Sequence, residues 1–114
     1  MYLDRLFKLM AEKQASDLFI SCGAPINIKV NGVVQPVSTQ AMDAETVQRI
    51  AYELMSKEQA REFENEMEMN LSHLDRAVGN FRINIFRQRG TISLVIRFVR
   101  NKVPPFEQLK LPSV

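Results

Sequence analysis

Two arginines in the last third of the chain, Arg82 and Arg97, have the type and spacing to bind an anion. The dipeptide Arg89-Gly90 is typical of a two-residue turn between two strands of alternating hydrophobicity. Counting outward from that turn places Arg82 directly opposite Arg97, with both pointing away from the apolar face of the hairpin. Like charges facing each other across strands are destabilising, so such a pair often holds a phosphate or carboxylate between its planar forks.

The same pair also has a simpler interpretation. Acidic residues of this domain, such as those within 43–75, could supply the carboxylate, because structural ion pairs are common. Asn84 and Gln88 share the polar face of the hairpin with the two arginines. A carboxylate of the same fold on either arginine would remove the geometric support for a phosphate role.

No other motif in the sequence points to a reaction. The phosphate loop G-x-x-x-x-G-K-[ST] is absent, because none of the four glycines is followed by Lys-Ser or Lys-Thr. The one histidine, His73, and the one cysteine, Cys22, form no cluster with metal-ligand spacing. We interpret His73 as a structural or surface residue and Cys22 as a small core residue. The sequence therefore predicts no catalytic residue, no metal site and no enzymatic activity for this chain by itself.

Composition and charge bound the class of protein. The 114 residues are 46% hydrophobic and 25% charged, which is typical of one globular domain. No stretch approaches the ~20 apolar residues of a membrane helix, no signal peptide is recognisable, and the single cysteine excludes an internal disulfide, so we expect a cytosolic protein. The net charge of +2 hides a split, with nine acidic and three basic residues within 43–75 and seven basic and no acidic residues within 76–106. This split indicates either an asymmetric binding surface or a solvated charged face.

The elements that would position the arginines follow from periodicity. Helical spacing predicts a helix over residues 3–14, a second helix beginning near Asp43 and a third capped by Ser56 with Gln59. Alternation predicts three strands before these two helices and three after them, with Asn31-Gly32 as the first hairpin turn. The order is that of an α+β domain with an antiparallel sheet of about six strands and helices packed on it, an arrangement that resembles PAS-like folds.

Five stretches of the sequence resemble those of a known protein family. The chain resembles the type IV pilus retraction (twitching motility) ATPases of the PilT/PilU group, through five stretches in order along nearly the whole chain: ASDLFIS, GAPINIKVNGVVQPV, MSKEQAREFE, GNFRINIFRQRGTISLVIRFV and LKLP. The family's usual Ser-Asp-Leu-His is Ser-Asp-Leu-Phe here, ending at Phe19, which favours the PilU-type paralogue.

The resemblance implies a larger protein. Residues 1–105 would be an amino-terminal PAS-like domain, and residues 106–114 would begin the linker to a RecA-like ATPase domain that this chain does not include. The parent would be a cytoplasmic homohexameric motor at the inner-membrane pilus base. Its partners would be its own RecA-like domain, the neighbouring subunits and the inner-membrane platform of the pilus machinery, with no nucleic acid. The resemblance also implies ATP and Mg as cofactors of the parent, none for this chain alone, and Arg82 and Arg97 close to the nucleotide phosphates.

Two alternatives remain open at the level of sequence. The basic segment 76–106 contains Phe81, Phe86 and Phe98, which would suit a nucleic-acid-binding module. Against this, Phe81 and Phe98 fall on the predicted core face, and tryptophan is absent. The other alternative is a PAS-like ligand-sensing module with an internal pocket.

Overall fold

The computed structural model describes residues 2–75 and 79–100. In this part of the chain, one helix is followed by three strands, two helices and three further strands, which confirms the predicted α+β class. Their order is α1 (Tyr2–Lys13), β1 (Asp17–Ser21), β2 (Asn27–Val30), β3 (Val33–Pro36), α2 (Ala44–Leu54), α3 (Lys57–Glu66), β4 (Glu68–Asp75), β5 (Gly79–Gln88) and β6 (Thr91–Arg100). The predicted boundary between residues 105 and 106 lies outside the described residues.

The six strands form one antiparallel sheet in the order β3-β2-β1-β6-β5-β4. The two three-stranded blocks of the sequence therefore join through β1 and β6, which are far apart along the chain. This junction places the first block beside the terminal hairpin that carries both arginines. The fold thus brings residues from the start of the chain to the candidate site.

The core lies on one face of this sheet. Alternate residues of the central strands, such as Ile20, Ile83 and Leu94, are almost fully buried. The helices cover them with apolar stripes at helical spacing, for example Leu3, Leu6, Phe7 and Met10 of α1, and these side chains belong to the same buried cluster. Each buried aliphatic side chain contributes ~1.5–3 kcal/mol, so the helices are firmly held on this face. The other face of the sheet carries the polar residues of the same strands.

The local signals that set this architecture are observed as predicted. Asn31 and Gly32, and likewise Arg89 and Gly90, have positive φ angles of 52°, 80°, 55° and 83°, as a two-residue hairpin turn requires. The side chain of Asp43 accepts a hydrogen bond from the backbone of Thr46 at the start of α2, which lowers the pKa of Asp43.

One expectation for a single side chain is wrong. Cys22 is exposed and not a core residue, because it follows the last residue of β1, where the chain turns away at Gly23 with a φ of +85°. At the end of α3, Met67 adopts the left-handed conformation and is 50% exposed. No helix within the described ranges is long and apolar enough to cross a membrane.

Candidate functional site

The candidate site is a row of side chains across the polar face of the sheet. Arg82 of β5 pairs directly with Arg97 of β6, which confirms the register predicted from the turn. The row continues to Ser72 on β4 and, on the other side, to Asp17 on β1 and Lys29 on β2. Directly paired residues project from the same face of an antiparallel sheet. Hereafter we call these five residues the charged row.

The carboxylate of Asp17 pairs with one of the two arginines. Nε of Arg97 donates a hydrogen bond to Oδ1 of Asp17 at 3.2 Å, across 80 residues of sequence. Oδ2 of the same carboxylate accepts a hydrogen bond from the hydroxyl of Ser16 at 2.8 Å. The two arginines are therefore not a pair of uncompensated guanidinium groups. The simpler interpretation holds for Arg97, although the acid comes from β1 and not from residues 43–75.

The two arginines consequently differ in their surroundings. The Arg97 side chain is 69% exposed even though its partner Asp17 is only 10% exposed. Its hydrogen bond to Asp17 uses Nε, so the terminal nitrogens remain able to donate to a ligand. Arg82 is exposed, and no carboxylate within residues 2–75 and 79–100 pairs with it. The face therefore offers one anchored and one unanchored guanidinium group, side by side.

An open groove of about 580 Å³ lies against these arginines. Its polar lining includes Asn70, Ser72 and Asn84 besides Arg82 and Arg97. Nδ2 of Asn84 donates to Oδ1 of Asn70 at 2.8 Å and to a carboxylate oxygen of Glu68 at 3.0 Å. These contacts fix the amide groups at the edge of the groove. The remaining lining residues, Leu71, Ile83 and Val95, are apolar, and the two guanidinium groups make one side of the groove suited to an anionic ligand.

His73 and the phenylalanines have structural roles. The His73 ring stacks on Phe7 with centroids 4.7 Å apart, and Phe7 in turn stacks on Phe81 at 4.5 Å. Phe81 is fully buried, and Phe98 stacks on it at 4.6 Å from the core side of the sheet. Phe81 and Phe98 therefore cannot serve as a platform for nucleic-acid bases, whereas the half-buried Phe86 lies on the polar face of β5 together with Arg82.

Metal binding has no support in the same region of the molecule. Among the residues that the structure describes, no three His, Cys, Asp or Glu side chains come together in a way that could hold a metal ion.

Comparison with known proteins gives relatives along the entire chain. PilU, a type IV pilus ATPase of Pseudomonas aeruginosa, is 37% identical over all 114 residues, which cover 30% of that protein. PilT, a type IV pilus retraction ATPase of the same organism, is 31% identical over 114 residues, which cover 33% of its length. This chain therefore spans about a third of the relatives it matches. No protein-family model matches the chain.

Solved structures agree with the sequence relatives. The pilus retraction motor PilT with bound ADP matches 96% of this chain and 32% of its own, with a TM-score of 0.79 and 30% identity. The ATPase DotB of Legionella pneumophila matches at a TM-score of 0.73 and 17% identity, and that of Yersinia pseudotuberculosis at 0.71 and 22%. At these low sequence identities, the two DotB structures show only that this chain has the same fold. By sequence and fold, this chain is the amino-terminal domain of a member of the type IV pilus retraction ATPase family, of the PilT/PilU type, and is more similar to PilU than to PilT of P. aeruginosa.

Proposed function

We propose that this domain serves a homohexameric pilus retraction ATPase by packing on a neighbouring subunit's ATPase core and presenting Arg82 and Arg97 to the nucleotide. The observation that carries the proposal is the match of nearly the whole chain to the PilT motor, whose solved structure contains ADP. The motor would act on the cytoplasmic side of the inner membrane, where the pilus platform would receive the work. Pulling would follow from domain rotation coupled to ATP turnover.

The ion pair between Asp17 and Arg97 removes the geometric support that two uncompensated arginines would have given, so the phosphate role rests on the match to the PilT motor, and the two arginines would share it unequally. Guanidinium groups brought next to a phosphate by domain closure stabilise the charge of the transition state. Arg82 can donate with its whole fork, whereas Arg97 can donate with its terminal nitrogens while Asp17 holds its Nε. The ion pair with Asp17 offsets part of the charge of Arg97, so we expect Arg82 to contribute more to phosphate binding.

ATP and magnesium would be held by the RecA-like domain of the parent protein. This chain has no phosphate loop in its sequence, and the described surface has no cation site. The purified 114-residue chain should therefore release no phosphate from ATP above a buffer blank and should not bind ATP tightly. Measurable turnover by the pure chain, proportional to its concentration, would contradict this assignment of the ATPase chemistry.

The proposed arginine role can be tested in a chimaera of P. aeruginosa PilT in which this chain replaces the matching 114 residues. We expect the chimaera to hydrolyse ATP, and Arg82→Ala and Arg97→Ala each to lower kcat. Arg61→Ala is the matched control, because Arg61 is equally cationic and exposed but lies on α3, on the helical side of the domain. Unchanged kcat in the double variant Arg82→Ala/Arg97→Ala would remove the phosphate role while leaving the family membership intact.

The alternative of a PAS-like ligand-sensing module stays a prediction. Mass spectrometry of the purified chain under non-denaturing conditions would detect a retained small molecule. A stoichiometric mass increment would favour sensing over the motor function.

A further inference from the structure

We propose that Asp17 is a positioning residue that holds the Arg97 guanidinium in the orientation needed for phosphate contact. This inference rests on the proposed function, because it assigns a task within the same charged row. It assigns different tasks to the two arginines, with Arg97 pre-oriented by the fold and Arg82 free to adjust to the ligand.

Asp17 is held in place by burial, by strand pairing and by a hydrogen bond from Ser16. The residue is 7% exposed, which is rare for a carboxylate that lacks a structural task. Its backbone belongs to β1, which is paired with β2 on one side and β6 on the other. The preceding residue, Ser16, donates its N–H to the carbonyl of Lys29 at 2.8 Å and accepts the N–H of Phe98 at 3.0 Å. Ser16 is thus fixed between two strands, and its hydroxyl holds Oδ2 of Asp17.

The hydrogen bond to Asp17 uses only one of the three nitrogens of the Arg97 guanidinium group. Oδ1 of Asp17 accepts from Nε of Arg97, the nitrogen nearest the backbone, at 3.2 Å. A bidentate contact through the terminal nitrogens would have occupied the groups that a phosphate needs. The observed contact fixes the plane of the fork and leaves its outer edge exposed, consistent with the 69% exposure of the side chain.

The charges of Arg82, Arg97 and Asp17 also favour a positioning role for Asp17. Arg97 lies directly opposite Arg82, and each charge pushes the other away from the position where one phosphate could contact both. The carboxylate of Asp17 on the far side of Arg97 offsets part of the Arg97 charge, which lowers the cost of keeping both guanidinium groups on one face of the sheet. Because an unrestrained arginine has many rotamers, holding Nε also reduces the conformational entropy that phosphate contact would otherwise cost.

The test is a double-mutant cycle on ATP turnover in the PilT chimaera, with Asp17→Ala, Arg97→Ala and the two combined. Loss of an outer partner that orients a functional side chain typically costs 10–100-fold in metal sites, and we expect a fall in kcat of about tenfold here. The fall should appear in kcat with little change in KM. In the Arg97→Ala background, Asp17→Ala should have no further effect, since a positioning residue acts only through the group it holds.

The outcomes separate this inference from the proposed function. An unchanged kcat in Arg97→Ala would overturn the phosphate role, and the positioning role with it. A reduced kcat in Arg97→Ala with a normal kcat in Asp17→Ala would overturn only the positioning role. Losses that multiply in the double variant would show that Asp17 acts through stability and not through Arg97. Glu62→Ala, which removes an exposed carboxylate from α3, is the control for loss of negative charge.

A second measurement covers the case in which Asp17→Ala does not fold. Asp17→Asn keeps the size of the side chain and one acceptor oxygen but removes the charge. Nitrogen-15 NMR of the 114-residue chain should show a slowly exchanging Nε–H for Arg97 and a fast-exchanging one for Arg82. Asp17→Asn should speed exchange at Arg97 alone. Equal exchange at the two arginines of the unmodified chain would overturn the proposal without any activity measurement.

Discussion

Replacing each arginine of the charged row by alanine should affect stability to different extents, although both changes remove one exposed guanidinium group. We expect Arg97→Ala to destabilise the folded domain by about 1–2 kcal/mol. We expect Arg82→Ala to leave stability within about 0.5 kcal/mol of the unmodified chain. The difference arises because Asp17 depends on Arg97, whereas no carboxylate in the described part of the chain depends on Arg82.

The magnitudes follow from exposure. A hydrogen bond to a charged group is worth ~1.5–3 kcal/mol, whereas fully exposed ion pairs are worth ~0.2–1 kcal/mol. The Asp17–Arg97 pair lies between these limits, because the side chain of Asp17 is 10% exposed and that of Arg97 is 69% exposed. For Arg82, relief of like-charge repulsion gains ~0.2–1 kcal/mol and is offset by the lost packing of its apolar stem.

Urea unfolding of the 114-residue chain can resolve this difference. With a slope of about 1.5 kcal/mol per molar urea, a loss of 1–2 kcal/mol lowers the midpoint by roughly 0.7–1.3 M. Arg82→Ala should move the midpoint by less than about 0.3 M under the same conditions. Equal midpoint shifts for the two variants, or no shift for either, would refute the claim that the fold uses the Asp17–Arg97 ion pair for stability.

Two further predictions concern the helices. Ser56→Ala should cost about 1 kcal/mol in the same urea assay, because it removes the hydroxyl that accepts the backbone N–H of Gln59 at 3.1 Å in the capping box; an unchanged midpoint would contradict it. Burial raises the pKa of Tyr52, and the hydrogen bond to Glu64 at 2.8 Å raises it further. The contribution of neutral Tyr52 to stability is therefore complete below pH 10 and is lost as the pH rises through the raised pKa. Spectrophotometric titration, with Tyr52→Phe to assign the signal, should show Tyr52 ionising above the ordinary tyrosine pKa of about 10, and Glu64→Gln should lower the Tyr52 pKa; an unshifted Tyr52 pKa in the unmodified chain would refute this.

The sequence was sufficient wherever the determining interactions are local. The pairing of Arg82 with Arg97 needed only the turn at Arg89-Gly90 and the parity of two strands. The capping signals at Asp43 and Ser56 likewise act within four residues. Such features depend on backbone geometry that the residues of one short segment determine without help from the rest of the fold.

The partner of Arg97 could not be found in this way. Alternation places Asp17 on the polar side of β1, opposite Leu18, but alternation does not say which strand β1 joins. The pairing of β1 with β6 closes a loop of about 80 residues and depends on the packing of the whole sheet. The position of Cys22 was wrong for a related reason, since periodicity gives the side of a strand on which a residue lies but not how far the covering layer of helices extends.

Arg82 and Arg97 lie on the face of the sheet opposite to most of the acidic residues within 43–75. Helices α2 and α3 hold most of the acidic residues within 43–75, and they pack on the core face of the sheet. Their carboxylates are therefore separated from Arg82 by the sheet and a layer of side chains, about 10 Å in all, which weakens their attraction to it. Glu68 of β4 does lie on the polar face, but its carboxylate accepts a hydrogen bond from Asn84 and forms no ion pair with Arg82. Asp17 is the acid that pairs within the charged row, and its hydrogen bonds go to Arg97 and Ser16. Arg82 therefore has no carboxylate in direct contact among the described residues, and the predicted stability difference between the two arginine variants measures that imbalance.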